Sequence, residues 1–575
     1  MPLQIRIGDS PLDLFPDETL SLDLKNPIFE GYFVQGEFAW AKTIPNTLHN
    51  AQLLQHPSIP SSTPRFDTPR PGSVQAGLLL LPASISVSSA SPAQIEISIT
   101  FAAGKIAQQL SDRLISALPL GPAFNPAHLR AGRYLTSLSL DAIHADYQTT
   151  KTPQVLFPTS YQDEEIFFHH NLQNGNQHST LQPEYIVTGF GPGKYLNLPS
   201  GSAFLYPIIK AIFNSVNLTL TDQVFTHPAF AQFLKSLLIF NNNTLPIFYS
   251  GDDAIGYMAD VINAQIQDFL PRHTYATTLR LVTRTFFAAL YIDLFSSNAS
   301  LIFNQQILDS APVHNWTDIF EQDFTLTQDS PTGFKILYDP SIAEDDITNT
   351  YLKTFRDINI TATYLDPGAL PTPTTFPTFA RVLSQGSIYA RYSLTETWKP
   401  FCLDFQNLLF GQEYTDYPTA LAPPAESCWL IPGPLSPPVP TRRQKDSDKI
   451  PTTLIAWHGQ VSYTNSYGQP ATAYAANASS VLTRSPTTPY PATSAPFSLR
   501  LDGPTGTVAT FGTPWLNALI AGKEIKGKVL LTEESFLAFK MHHKIQIGPD
   551  TYLVKSLKPT LPIFGPTPVT LFRLP

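Results

Sequence analysis

The first fifty-odd residues constrain this chain most. Ile5-Arg6-Ile7-Gly8-Asp9 reads as a short strand running into a turn. Leu20, Leu22 and Leu24 then alternate strictly, the period-2 mark of a strand with one buried face. Asn26-Pro27-Ile28-Phe29 follows, an aromatic strand is predicted from Tyr32 to Trp40, and the stretch closes on Ile44-Pro45-Asn46-Thr47-Leu48-His49-Asn50-Ala51-Gln52-Leu53-Leu54. Nothing in it has the pattern of a catalytic centre, so function is to be sought in assembly.

Composition supports that direction. With 575 residues the chain exceeds a single core and suggests on the order of three to five domains. A hydrophobic fraction of 43% excludes general disorder, while only 14% charged residues is low for a free soluble surface. Such a chain buries much of its surface in an assembly or presents an uncharged Ser, Thr, Asn and Gln exterior; assembly is the expectation. The 54 prolines are about twice the usual share and, with 38 Phe and 23 Tyr, favour strands, edges and ordered loops over long helices.

A net charge of −9 argues against a protein that coats nucleic acid and agrees with a wall past which DNA slides. The basic cluster Arg442-Arg443-Gln444-Lys445 lies in a proline-rich stretch and reads as a solvated loop. Two cysteines, Cys402 and Cys428, exclude a disulfide framework; the two could pair with each other, but free thiols are the expectation. The N-terminus lacks the basic start and apolar run of a signal peptide, and no eighteen-residue apolar run predicts a membrane span.

Residues 1–195 are predicted as an N-terminal β-rich, tube-like domain, with strands at Gly77–Val87 and Gln94–Phe101 and a helix at Gly104–Leu118. Residues 196–265 read as a small helical insertion, because Leu205, Ile208, Ile209, Ile212 and Phe213 keep helical spacing and Phe230–Leu237 repeats it. Residues 266–345 form an α+β unit: a helix at Thr274–Leu290, then strands at Tyr291–Phe295 and Ser300–Phe303. Residues 346–451 are a second β-rich region carrying the proline-rich loop 417–451. Residues 452–575 close the chain as a β-rich domain, with strands at Thr453–Trp457, Gly459–Tyr463, Lys544–Ile547, Thr551–Leu557 and Val569–Leu574 and a short helix at Ser535–Met541.

The candidate chemistry is thin. Gly189-Phe190-Gly191-Pro192-Gly193-Lys194 lacks the glycine spacing and the Ser or Thr of a phosphate loop and reads as a linker. The pairs His169-His170 and His542-His543 have no third ligand at helical spacing, and adjacent side chains diverge, so surface or interfacial roles are expected and no metal site. Asp163-Glu164-Glu165, Asp252-Asp253 and Glu344-Asp345-Asp346 are contiguous acids, unlike the two facing carboxylates of a glycosidase or the alternating pattern of a Ca²⁺ loop. Trp40, Trp398, Trp429, Trp457 and Trp515 are read as core or interface residues before glycan platforms. No catalytic residue and no cofactor is predicted.

Three separated segments, taken in order, resemble one family. They are the N-terminal stretch above; Ala203-Phe204-Leu205-Tyr206 through Phe213 to Leu237-Leu238-Ile239-Phe240-Asn241-Asn242; and Phe269-Leu270-Pro271 through Phe286-Phe287-Ala288-Ala289-Leu290-Tyr291-Ile292-Asp293 to Ile307-Leu308 and Asn315-Trp316-Thr317. The set resembles the tail-tip or baseplate hub proteins of tailed phages and related contractile injection machines, chiefly over 1–60 and 200–340. The resemblance implies an α+β, β-rich multidomain fold: two tube-like β-barrel domains with a helical insertion and an additional α+β domain. It implies a structural homotrimer that joins the hexameric tail tube protein to a threefold tip or spike protein, among other tail or baseplate proteins. The genome would pass through its channel without specific nucleic-acid binding, and the virion tail would be assembled in the host cytoplasm. Leu20, Leu22 and Leu24 with Val569, Leu571 and Leu574 are the predicted barrel-core or interface residues. A receptor- or glycan-binding tail protein is the alternative.

Overall fold

The computed structural model describes residues 3–30, 39–59, 68–123, 202–240, 265–271, 273–293, 297–321, 323–327, 453–464, 470–477, 505–563 and 565–575, with short strands and single residues elsewhere. A six-stranded antiparallel sheet and a mainly antiparallel seven-stranded sheet flank a middle region that holds a further five-stranded antiparallel sheet, and the described residues are strand-rich α+β.

The N-terminal sheet has six strands in the order Ser10–Pro11, Gln4–Ile7, Arg70–Ala76, Leu79–Ala90, Gln94–Phe101, Ala39–Pro45. The predicted alternation decides its faces. Ile85 stands opposite Ile99 and Val87 opposite Ile97, all buried, while Ser84 opposite Thr100 and Ser86 opposite Ser98 point outward. Its strand Gln94–Phe101 has the predicted bounds. The helix Ala102–Asp112 ends before the predicted Leu118, and Ile115–Ala117 forms a separate 3₁₀ turn.

In the middle region strands interleave with the predicted helices. Ser202–Phe204 is a strand, and the helix Leu205–Ser215 starts only after it, with Pro207 in its first turn where a missing N–H costs nothing. The second helix is shortened to Ala231–Lys235 because Leu237–Phe240 pairs with Thr453–Thr464. That last strand is one continuous element with a bulge between Trp457 and Gly459, where the sequence suggests two. The helix Tyr275–Thr285, capped by the Thr274 side chain, stops short of Leu290: Phe287 takes a left-handed φ of 46° and the chain re-enters as the strand Ala288–Ile292. This strand pairs with Asn298–Phe303, which runs parallel to Thr219–Asp222.

The C-terminal sheet is assembled from distant pieces. Lys544–Ile547, Asp550–Leu557, Thr567–Arg573 and Lys523–Val529 form an antiparallel run. His314–Asn315 pairs parallel with Lys544–Ile547, and Thr325–Thr327 pairs antiparallel with Lys523–Val529. Both outer edges of the run are therefore taken by one segment, 314–327. The two short strands run in the same direction, so a single pass of chain covers both edges, a common device against edge-to-edge aggregation. The N-terminus reaches here too: Leu20–Ser21 pairs with Thr560–Leu561, and Leu24–Lys25 with Asp550–Leu557.

Candidate functional site: a polar seam and two outward sheet faces

Asn26 holds three parts of the chain together. It is fully buried, and its Nδ2 donates to the carbonyls of Met541 and Val554, each at 2.7 Å. Its Oδ1 accepts from the Tyr291 hydroxyl at 3.0 Å and from the Ile28 amide at 3.2 Å. Both amide protons and both lone pairs are used, which is what a side chain amide needs to be tolerated in a core. Pro27 begins the short helical turn Pro27–Glu30, so Asn26 lies at its start. An Asn-Pro pair before an apolar run was the available sequence signal; its long-range partners were not legible.

Beside Asn26 lies a cavity of about 250 Å³, lined by Leu24, Tyr291, Ser300, Phe539, Lys540 and His542 among others. Lys540 Nζ donates to Asp293 at 2.5 Å at its rim. The turn Lys540–Lys544 then carries three linked groups. The Lys540 amide donates to His543 Nδ1 at 3.3 Å, so that nitrogen bears no proton, and the 3.0 Å contact with His314 Nε2 must be a bond donated by His314. Lys544 is buried and donates to the Leu308 carbonyl at 2.5 Å.

Burial sets the electrostatics of this seam. Desolvation lowers His542 to about 4, helped by Lys540 and opposed by Asp293. His543 also falls to about 4, first through desolvation and then through His542, His314 and Lys540. Desolvation lowers His314 and Lys544 and raises the Tyr291 hydroxyl well above its ordinary range. These imidazoles are neutral at neutral pH and act as packing and hydrogen-bonding groups. Among the described residues no group of three or more His, Cys, Asp or Glu side chains could hold a metal, and no helix is long and apolar enough to cross a membrane.

The conspicuous motif Ile44–Leu54 is a second polar node. Thr47 caps the helix Leu48–Leu53 by accepting from the Asn50 amide, and its hydroxyl donates to Asp13 at 2.5 Å. Asn50 is fully buried; its Nδ2 donates to the carbonyls of Asp13 and Pro45, and its Oδ1 accepts from the Asp13 amide. Asn46 donates to the Ser58 hydroxyl and the Ser91 carbonyl. These residues fasten the loop 9–18 to the N-terminal sheet.

The outward faces of the two sheets differ. On the N-terminal sheet it is rich in hydroxyls, Ser73, Ser84, Ser86, Ser98, Thr100 and Thr43, with Arg6, Glu96 and the exposed Leu80 among them. On the C-terminal sheet, Lys526, Thr570, Ser556 and Lys25 form one row across four strands. Lys528 and Pro568 stand opposite each other beside it, and the Lys558 amide donates to the Pro568 carbonyl. Lys555 pairs with Glu524 at 2.5 Å and Lys558 with Asp23 at 3.4 Å. The far end of this face is covered, since Phe572 packs on Phe29 with ring centroids 5.2 Å apart.

Leu20, Leu22, Leu24, Val569 and Leu571 are all buried in one core, and Leu574 is at its margin at 9% exposure. The structure thus brings the two groups of predicted residues together in the C-terminal sheet, rather than placing the leucines of residues 20–24 in the sheet of their sequence neighbours. Among the tryptophans, Trp457 and Trp515 are buried and Trp40 packs edge-on to Phe101. His169, His170, the three acidic runs, the glycine-rich linker, both cysteines, Trp398, Trp429 and Arg442–Lys445 lie outside the described residues. Most of the predicted strand Tyr32–Trp40 and of the loop 417–451 does so as well.

No family model and no curated protein matches the chain. Among solved structures it is similar to the 43 kDa tail protein of prophage MuSo2 from Shewanella oneidensis, at 7% identity and a TM-score of 0.31, over 100% of this chain and 98% of that one. It is similar also to the tail protein from Neisseria meningitidis MC58, at 9% identity and a TM-score of 0.31, over 100% and 96% of the two chains. Both neighbours are tail proteins, the first that of a prophage; superpositions this loose carry no argument about fold or role.

Proposed function

We propose that this chain is a structural tail-tip or baseplate hub: a homotrimer that joins a hexameric tail tube to a threefold tip or spike. The observation that carries it is the pair of largest sheets in one polypeptide, six-stranded and seven-stranded, tied by residues 20–25. Counting these two largest sheets alone, three copies present six, the number a sixfold tube requires. In this reading the N-terminal sheet and the C-terminal sheet, whose edges are both covered by 314–327, are the cores of the two tube-like barrels. The hydroxyl-rich face, on which Arg6 and Glu96 offset each other in charge, suits a wall past which a polyanion moves without adhering. The partners are then the tail tube protein, the tip or spike protein and other tail or baseplate proteins, in a virion tail assembled in the host cytoplasm. The role is non-enzymatic.

Mass photometry and negative-stain electron microscopy of the purified full chain test this. Particles of three copies around a hollow centre are expected. A monomer at every concentration, or a compact even-numbered oligomer without a central opening, overturns the reading.

A further inference from the structure

The lysine face of the C-terminal sheet has a complement in the same sequence. Residues 523–575 hold eight Lys and Arg against four Asp and Glu, in a chain whose net charge is −9. Between Arg6 and Lys25, by contrast, stand five acids, Asp9, Asp13, Asp17, Glu18 and Asp23, and no base. Asp23 already pairs with Lys558 on the lysine face. Glu18 pairs with Lys42 and Asp13 accepts from Thr47, which leaves Asp9 and Asp17 exposed on either side of Phe15, an aromatic ring 40% exposed.

In this fold no ion pair among the described residues joins Asp9 or Asp17 to the lysines of its own chain. The Leu12 amide donates to the Ile5 carbonyl and the Asp13 amide to Asn50, which hold the loop on the N-terminal sheet. Lys25, Lys526 and Lys528 are likewise fixed on their strands and exposed. Two rigid, oppositely charged surfaces on different sheets of one chain are what a head-to-tail contact between identical subunits needs.

We propose that the lysine face, centred on Lys526, Lys528 and Lys25, receives the acidic loop 9–18 of a second copy of this chain, with Phe15 as its apolar anchor. The contact rests on the ring reading above and gives that ring its subunit interface. Small side chains between the lysines, Ser556, Thr570 and Pro568, leave a flat floor on which a ring can lie. Charge steers the approach, and the exposed ion pairs weaken with salt.

A charge swap in the full-length protein is the test. The first variant carries Lys526→Glu and Lys528→Glu; the second carries Asp9→Lys and Asp17→Asn, asparagine being chosen because Asp17 has a positive φ of 58°. Thermal melts establish that both fold. In sedimentation velocity at low salt, each variant alone is expected to associate at least about 10-fold more weakly than the natural chain, and an equimolar mixture to recover association. Unchanged association of the lysine variant, or failure of the mixture to recover, overturns the pairing while leaving the trimer standing. A natural chain that stays monomeric overturns both. Association through this same swap that stops at a two-fold dimer supports the contact and overturns the trimer. A monomeric chain whose lysine face instead binds a 20-base-pair DNA duplex, lost in the lysine variant, assigns the face to nucleic acid and ends the proposal.

Discussion

The two sheets are made in opposite ways. Every strand of the N-terminal sheet comes from residues 4–101, and its polar node, Asn50, binds partners at most 37 residues away. The C-terminal sheet draws on residues 20–25, 314–327 and 523–573, and its node, Asn26, reaches carbonyls more than 500 residues along the chain. The first can form from local contacts; the second exists only once both ends and the middle have met, and it carries the larger loop-closure cost. The three segments therefore meet at the C-terminal sheet, where one side chain bonds to residues 291, 541 and 554.

That contrast can be broken at Asn26. Asn26→Ala removes the partner that the Tyr291 hydroxyl and the Met541 and Val554 carbonyls share in this core, and is expected to cost about 4 kcal/mol at roughly 1–3 kcal/mol per lost bond to a buried group. Urea unfolding with hydrogen exchange reads this out: protection should fall in 523–573 and persist in 70–101. Equal loss in both sheets would show that they unfold as one unit. Asn50→Ala should cost less, about 2 kcal/mol, and its effect should appear in the N-terminal sheet.

Acid sharpens the same comparison. His542 and His543 have folded-state values near 4, below the ordinary 6.5, so the unfolded chain takes up protons first as pH falls. Their contribution is whole above about pH 6.5, declines between 6.5 and 4, and levels off below. A loss of about 1–3 kcal/mol across that window is expected, after allowance for partial solvent screening. A His542→Gln, His543→Gln double variant should flatten the stability profile there, and an unaltered slope would remove these residues from the account. The smallest effect is expected where the Leu78 amide, at a turn of the N-terminal sheet, donates to Glu533 of the helix Glu533–Ala538 at 2.8 Å. The turn is tight because Gly77 takes a φ of 59°, and Glu533→Gln should cost under about 1 kcal/mol in the melting profile.

Much of the local structure was legible. Alternation at Ile95, Ile97 and Ile99 gave a strand with the right bounds, and the spacing of Leu205, Ile208, Ile209 and Ile212 gave a helix with the right buried face. Boundaries slipped where a neighbouring strand claimed residues that helical spacing also suited, as at Leu237–Phe240 and Ala288–Ile292. Periodicity cannot separate a buried helix end from a buried strand. The seam is not legible as a unit: the sequence marks the Asn26-Pro27 and His542-His543 pairs separately, and their partners Tyr291 and His314 are distant along the chain.

By itself the sequence determined which faces of the strands are apolar, that Leu20, Leu22 and Leu24 would be buried, and that charge is scarce. Only the tertiary structure decided what those leucines are buried against, that one segment covers both edges of the C-terminal sheet, and that lysines scattered from residue 25 to residue 558 share a face. The reason is physical: side-chain period is a property of the local backbone, whereas strand partners are chosen by whichever distant edge leaves no N–H or C=O unpaired.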